Sequence, residues 1–224
     1  MNIEIKGVSK SFGKKAVLKN LSFSARGGQF IGILGENGSG KSTLFSVVTG
    51  LQKGEGEFLL DGVNLLRKPS LRAKKVGFVP QSPPLLGELT ARDNLRLWYS
   101  KNDMLRSLER GFLKLLGIDE FIDLPVNKMS GGMKKRLAIG CAISHEPEIL
   151  FLDEPCSALD LPCKERIYAY LREFAAGGGI VILATHDIYE LVLCDDVYVL
   201  KGGALSLYEG SRDINSLVEQ MSHE

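Results

Sequence analysis

GENGSGKST, residues 35–43, is the stretch that decides the fold. Gly35, Gly40, Lys41 and Ser42 fit the pattern G-x-x-x-x-G-K-[ST], with Glu36, Asn37, Gly38 and Ser39 between the glycines and Thr43 directly after. The flanks suit it. FIGILG ahead of the loop is a short apolar run ending in glycine, as a buried parallel strand would, and TLFSVVTG behind it can form a helix ended by Gly50. Glycines let backbone N–H groups wrap a phosphate, and the helix amino terminus adds unpaired donors. In that setting Lys41 reaches β and γ phosphates and Ser42 holds Mg²⁺. A chance glycine-rich turn shows the same bare pattern, so the loop needs company.

Two later segments supply it. EILFLDEP, 148–155, is an apolar strand ending in two acids, which is where an α/β sheet presents residues to a ligand. Asp153 there would bind Mg²⁺ directly or through water, and Glu154 would polarise an attacking water as general base, although Glu154 alone reads equally as a solvated acid. GIVILATHD is a third apolar strand, Gly179 to Ala184, delivering His186 to donate a hydrogen bond to a transferring phosphate. His145 and His223 have no such context.

Composition bounds the rest. The 224 residues allow one large domain or two small ones and a core without staples. With 28 Lys+Arg against 27 Asp+Glu, no overall field attracts nucleic acid or an anionic membrane. Cys141, Cys156, Cys163 and Cys194 form no C-x-x-C pair and no zinc spacing, which suits a reducing cytosol and packing as small apolar residues. No signal peptide opens the chain and no apolar run approaches a membrane span, so a soluble chain is expected.

NIEIKGV and AVLKNLSFSA alternate like strands, VGFVP is another, and Gly202 with Gly203 turns a hairpin between VYVLK and ALSLYEG. Between Gln81 and Ser130 the pattern changes to helical spacing, in RDNLRLWYS and in MLRSLERGFLKLLG. Gly177 to Gly179 reads as a flexible helix-to-strand connection. Lys134, Lys135 and Arg136, three cations at a helix start, read as a solvated face rather than a nucleic-acid patch. SRDINSLVEQMSHE is expected to form a short closing helix.

MSGGM, 129–133, is a second glycine-centred phosphate motif. Ser130 offers a hydroxyl and a helix N-cap, Gly131 and Gly132 allow close backbone approach, and the helix MKKRLAIGCAIS aims its positive end at an anion. Two such motifs in one chain are read as serving different nucleotides, each chain supplying half of each site.

Taken in order, GENGSGKST as Walker A, MSGGM as signature, ILFLDEP as Walker B, SALD as D-loop and His186 as switch histidine, the chain resembles an ATP-binding cassette (ABC) ATPase over essentially its whole length. The resemblance implies an α/β P-loop NTPase fold with a RecA-like core, an N-terminal antiparallel β subdomain and an inserted α-helical subdomain. It implies one domain over residues 1–224, with the helical insert at about 84–146. ATP and Mg²⁺ are the implied ligands. Lys41, Gln81, Glu154 and His186 would be catalytic, and Ser42, Gln81 and Asp153 would hold the metal. Gln81 becomes the Q-loop glutamine, touching Mg²⁺ and a transmembrane partner; a plain loop glutamine is the alternative. Phe12 takes the place of an aromatic that stacks on adenine, against a buried core phenylalanine. Asp160 would cross to a second chain, although Leu161 precedes Pro162 where the family often has proline at once. Ser130, Gly131 and Gly132 would hold the γ phosphate bound to the other chain's Walker A. Met129 and Met133 replace the commoner leucine and glutamine, and Met133 cannot hydrogen-bond to a nucleotide.

The partners so implied are a second ATPase subunit, identical or related, and integral membrane permease subunits, with no nucleic acid. The chain would then lie in the cytoplasm on the inner face of the cell membrane. PPLLGELTARDNL would dock the permease through Leu85, Leu86 and Leu89, although core packing explains any one of them. SGGMKKRL with ELTARDNLRLWYS resembles bacterial exporter ATPases of the ABC-2 type, for drugs, lipids or polysaccharides. A soluble ABC ATPase that assembles or remodels a protein partner is the alternative. A non-catalytic module is disfavoured by Lys41, Asp153, Glu154 and His186. Length argues against the coiled-coil and two-cassette relatives.

Overall fold

The computed structural model describes residues 1–157, 159–191 and 194–210. The expected closing helix lies outside them, as do Ala158 of SALD and His223. Two sheets form the frame. Strands β1 (Asn2–Phe12) and β2 (Lys15–Arg26) pair antiparallel, and β4 (Glu55–Leu60) and β5 (Val63–Asn64) extend them in the order β2-β1-β4-β5. Alternation places Ile3, Ile5 and Val8 of β1 and Leu18, Leu21, Phe23 and Ala25 of β2 on the buried face.

The second sheet runs β10-β9-β3-β8-β7-β6. Its members are β3 (Phe30–Leu34), β6 (Val76–Val79), β7 (Ile149–Asp153), β8 (Ile180–Thr185), β9 (Asp196–Lys201) and β10 (Ala204–Leu207), parallel except for the β9–β10 hairpin. Gly202 and Gly203, at φ 58 and 81, make that turn. Strands β3, β7 and β8 are buried at every residue, the pattern of strands covered on both faces. Their side chains divide by period two. Ile31, Ile33, Ile149, Phe151, Ile180 and Ile182 face the antiparallel sheet and helix α1 (Lys41–Val48), where Phe45 and Phe58 meet Phe151 edge-on at 5.2 and 5.9 Å. Phe30, Leu34, Leu150, Leu152, Val181 and Leu183 face the helices on the other side.

Helix α2 (Pro69–Lys75) packs Leu71 against the first of these clusters, and the helices on the other side are α3 (Ala91–Arg96), α4 (Lys101–Arg110), α5 (Phe112–Leu115), α6 (Gly131–Ala142), α7 (Leu161–Ala176) and the single turn α8 (Ile188–Leu191). Helix α2 leads into edge strand β6 and carries no fully buried residue. Thr90 and Asp93 close a capping box on α3. The stretch MLRSLERGFLKLLG is two helices, not one. Gly111 takes extended dihedrals (φ −112, ψ −161), and Ser107 Oγ accepts the N–H of Leu113 at 3.2 Å, so the chain restarts and buries Leu113.

A second correction concerns the cations of α6. Lys135 and Arg136 are buried, at 6% and 9% exposure, and Lys134 is half-buried. Backbone carbonyls replace water for both. Arg136 Nη1 donates to Leu116 O at 2.7 Å with its guanidinium over the Phe121 ring, and Lys135 Nζ lies among three carbonyls. A hydrophobic pattern cannot register carbonyls supplied by distant loops. The cysteines, by contrast, are all buried and none is in a disulfide. Leu85 packs against the core, whereas Leu86 and Leu89 are exposed. Among the described residues no helix is long and apolar enough to cross a membrane.

Candidate nucleotide site

Strand register assembles the first group of residues. Leu34 pairs with Thr185 and Asp153 with Ala184, so the segments after β3, β7 and β8 emerge side by side at one carboxyl edge. From β3 the chain enters the 35–40 loop and then α1. A Cβ at Gly35 would lie 2.6 Å from Ser39 Oγ and 2.7 Å from Leu200 O, and Gly40 sits at φ 111; neither place admits a side chain. Glu36, Asn37 and Gly38 are exposed at the mouth, and Thr43 is half-buried. Ser39 Oγ is buried with no partner in the protein. The first-turn amides of α1 have no carbonyl within their own helix. Lys41, 5% exposed, donates to Gly35 O (2.6 Å) and Glu36 O (3.0 Å). Burial pushes its ammonium below the usual lysine range, against the pull of Glu154 and Asp153.

At the end of β7, Asp153 is 2% exposed. Burial raises its carboxyl above the usual range, while a hydrogen bond from the Ser42 hydroxyl acts the other way. Glu154 follows at φ 49, a left-handed backbone for a non-glycine residue, fixed by its N–H on Ala184 O at 2.8 Å. Its carboxylate is held from two sides. Gln81 Nε2 donates to Oε2 at 3.0 Å, and His186 Nδ1 lies 2.9 Å from Oε1. Lys41, Ser42, Gln81, Asp153, Glu154 and His186 are thus one constellation. The direct contact of His186 and of Gln81 with Glu154 was not foreseen from sequence.

A second group forms apart from it. Ser130 caps α6, its Oγ accepting from Met133 N at 3.2 Å, and a Cβ at Gly131 would meet nothing within 4 Å. Ser130, Gly131, Gly132 and Asp160 line one recess of about 300 Å³. None of the loop residues 35–43 lines it. Asp160 caps α7, accepting from Cys163 N at 2.9 Å, and Pro162 falls in the first turn of α7, where its missing N–H costs nothing. The displaced proline therefore starts a helix instead of distorting the loop.

Phe12 joins neither group. It is 49% exposed, which excludes the core alternative, and Lys10 Nζ lies 5.0 Å over its ring. Sequence reading also missed the anchors of the His186 segment. Lys164 pairs with Asp187 at 3.0 Å, Thr185 Oγ1 accepts from Asp187 N at 2.8 Å, and Glu190, 1% exposed, has its carboxyl raised by burial. No local pattern marks these residues; α7 supplies the lysine from a distant part of the chain.

Ligand fit follows from the donors. The orphaned Ser39 hydroxyl, the open space about Gly38 and the amides of α1 suit a polyphosphate. Among the described residues no three His, Cys, Asp or Glu side chains could hold a metal by themselves. Ser42 and Asp153 offer two oxygens, as suits Mg²⁺, which draws its remaining ligands from water and phosphates.

A glycine loop between a central parallel strand and a helix, with acids and a histidine on neighbouring strand ends, defines a P-loop nucleotide-binding cassette. The chain belongs to the ABC transporter family, whose model matches residues 18–157. It is similar to the Nod factor export ATP-binding protein I of Sinorhizobium fredii (strain NBRC 101917 / NGR234), 38% identical over 90% of this chain and 60% of that one. It is also similar to the spermidine/putrescine import ATP-binding protein PotA of Spiroplasma citri, 34% identical over 91% of this chain and 60% of that one. The chain thus spans about 60% of the length of these relatives. A solved ATP-binding cassette, dimeric in a post-hydrolysis state with ADP and Pi, superposes at TM-score 0.80 with 30% identity, over 93% of this chain and all of that one.

Proposed function

We propose that this chain binds and hydrolyses Mg²⁺-ATP as one of a pair of cassettes and powers export through separate membrane permease subunits, working from the cytoplasmic face. The observation that carries the reading is Glu154, gripped by Gln81 and His186 beside the Lys41 loop. Support for the pairing comes from the separate Ser130 recess and the dimeric relative. Export rests on the exporter likeness of SGGMKKRL together with ELTARDNLRLWYS and on the Nod factor relative. Residues 84–146 are read as one inserted helical unit within a single cassette.

In this reading the amides of residues 35–43 and the Lys41 ammonium cradle the phosphates, and Phe12 stacks on adenine. Ser42 and Asp153, with Gln81 as a further ligand, would hold Mg²⁺, which would supply positive charge to the phosphate oxygens. Glu154 takes a proton from the attacking water, and His186 donates a hydrogen bond toward the γ phosphate. Ser130, Gly131 and Gly132 complete the other chain's site, and Asp160 crosses between the two. Exposed Leu86 and Leu89 face the permease.

Glu154→Gln tests the reading. The amide is isosteric and keeps its neighbours, so ATP binding persists, ATP-dependent pairing appears in size exclusion, and Mg²⁺-dependent hydrolysis falls by about 10²–10⁴. Turnover at the parent's rate would refute the base assignment. Affinity capture from detergent extract should bring down an integral membrane protein; capture of a soluble partner alone would favour the remodelling ATPase.

A further inference from the structure

Lys135 is a buried cation that, among the described residues, makes no direct ion pair, although the charges of Asp153, Glu154 and Glu190 act on its ammonium from further off. Its Nζ instead lies 3.1 Å from Gln81 O, 3.4 Å from Pro80 O and 3.5 Å from Asp153 O. Burying an ammonium is expensive unless it is hydrogen-bonded, so the side chain is held in this place. Those carbonyls belong to two segments, the loop after β6 and the end of β7, and both carry site residues. From Gln81 the contacts continue to Glu154 Oε2 at 3.0 Å, and from Glu154 Oε1 to His186 Nδ1 at 2.9 Å. In the other direction α6 runs back without a break to its cap, Ser130. At 1.5 Å per residue the cap is only about 7.5 Å along the axis from Lys135. One rigid helix therefore touches the second recess with its end and the first constellation with its second turn.

We infer that Lys135 is a positioning residue that couples the two nucleotide sites of a paired enzyme. Helix α6 meets the other chain's nucleotide at Ser130, and Lys135, through the Gln81 backbone, sets where Glu154 stands against this chain's own nucleotide. A phosphate drawing on the cap shifts the helix, and the ammonium carries the shift to the carbonyls of Gln81 and Asp153. The inference rests on the split-site reading proposed above. It differs from a staple that only holds α6 to the core, because a staple fixes stability without linking one site to the other.

The test compares the parent with Lys135→Met, which keeps the length and loses the donors, and Lys135→Gln, which is shorter and keeps an amide donor. Steady-state Mg²⁺-ATP hydrolysis, Hill slope, nucleotide affinity of the monomer and melting temperature are measured on the full chain. For Lys135→Met the expected result is a kcat lower by about tenfold, since small misplacement of a catalytic group costs at least that much. Its Hill slope should drop toward that of independent sites, with KM and monomer affinity within about twofold of the parent's, Lys135→Gln falling between. If Lys135→Met does not fold, Lys135→Gln is judged by the same readouts. Parental kcat and Hill slope in the variant that folds overturn the inference, whatever the melting temperature, and so does a parent that hydrolyses ATP without cooperativity. A parent with no Mg²⁺-ATPase overturns the split-site reading as well.

Discussion

Gly132→Ala inserts one methyl group where α6 meets the start of α7, and the structure states what it hits. The new Cβ would lie 2.7 Å from Cys163 Sγ, 3.5 Å from Cys163 Cβ and 3.7 Å from Leu159 Cδ2. Only the sulfur is inside ordinary contact, which begins at 3.4 Å, so the sulfur or the helix that carries it must give by about 0.7 Å. Overpacking of this kind costs about 1–3 kcal/mol. Alanine recovers up to about 1 kcal/mol over glycine within a helix, and Gly132 has no left-handed φ to forbid it. The net loss is about 1 kcal/mol, or roughly 2–4 °C in melting temperature for a chain of this size. In a Cys163→Ala background the sulfur is gone and the helix term alone remains, so the same substitution should stabilise. Thermal unfolding of the four proteins by circular dichroism gives the coupling as a double-mutant cycle. ATP hydrolysis should fall in Gly132→Ala, since the displaced turn carries Ser130. Equal destabilisation in both backgrounds would show that the sulfur is not the obstacle and that the packing described at this junction is wrong.

Two further outcomes follow from buried groups. Tyr170 is fully buried and its hydroxyl has no hydrogen-bond partner, so Tyr170→Phe should leave stability unchanged or raise it by about 1 kcal/mol, read as a rise in melting temperature; a fall would reveal a partner for the hydroxyl. Burial pushes the Cys141 thiol up to about 12 and also raises Cys156 and Cys163. Deprotonation, the step reagents require, is therefore suppressed in the folded state, and at pH 8 only about one Cys141 in 10⁴ is thiolate. A thiol-disulfide reagent at pH 8 should titrate these sites slowly in the native chain and release all four thiols in denaturant. Rapid native reaction at Cys141 would contradict its placement.

What sequence reveals here depends on how local the cause is. The 35–43 loop, the all-apolar strands and the acids at the end of β7 are legible because strand, turn and helix are written in consecutive residues. Ser130 as a helix cap is local for the same reason. Lys135 and Arg136 were misread because their partners are carbonyls at 80–81, 116–117 and 153, which no pattern in 134–136 can announce. The break at Gly111 escaped notice because apolar spacing continues across it while the backbone does not. Phe12 reads in sequence as either an adenine-stacking aromatic or a core phenylalanine, since one aromatic in an alternating strand fits either face.

Glu154 holds a last consequence in its backbone. A φ of 49 is ordinary for glycine and tolerable for asparagine, but for glutamate it is a conformation held by the surroundings at a cost of about 1 kcal/mol or more. On the proposed role of Glu154 as base, any search for a hardier chain, by directed evolution under heat or by substitution toward common turn residues, will be drawn to this position and rewarded there with inactive protein. Durability and turnover compete at a single dihedral, and a thermostabilised version of this cassette must be selected with position 154 locked.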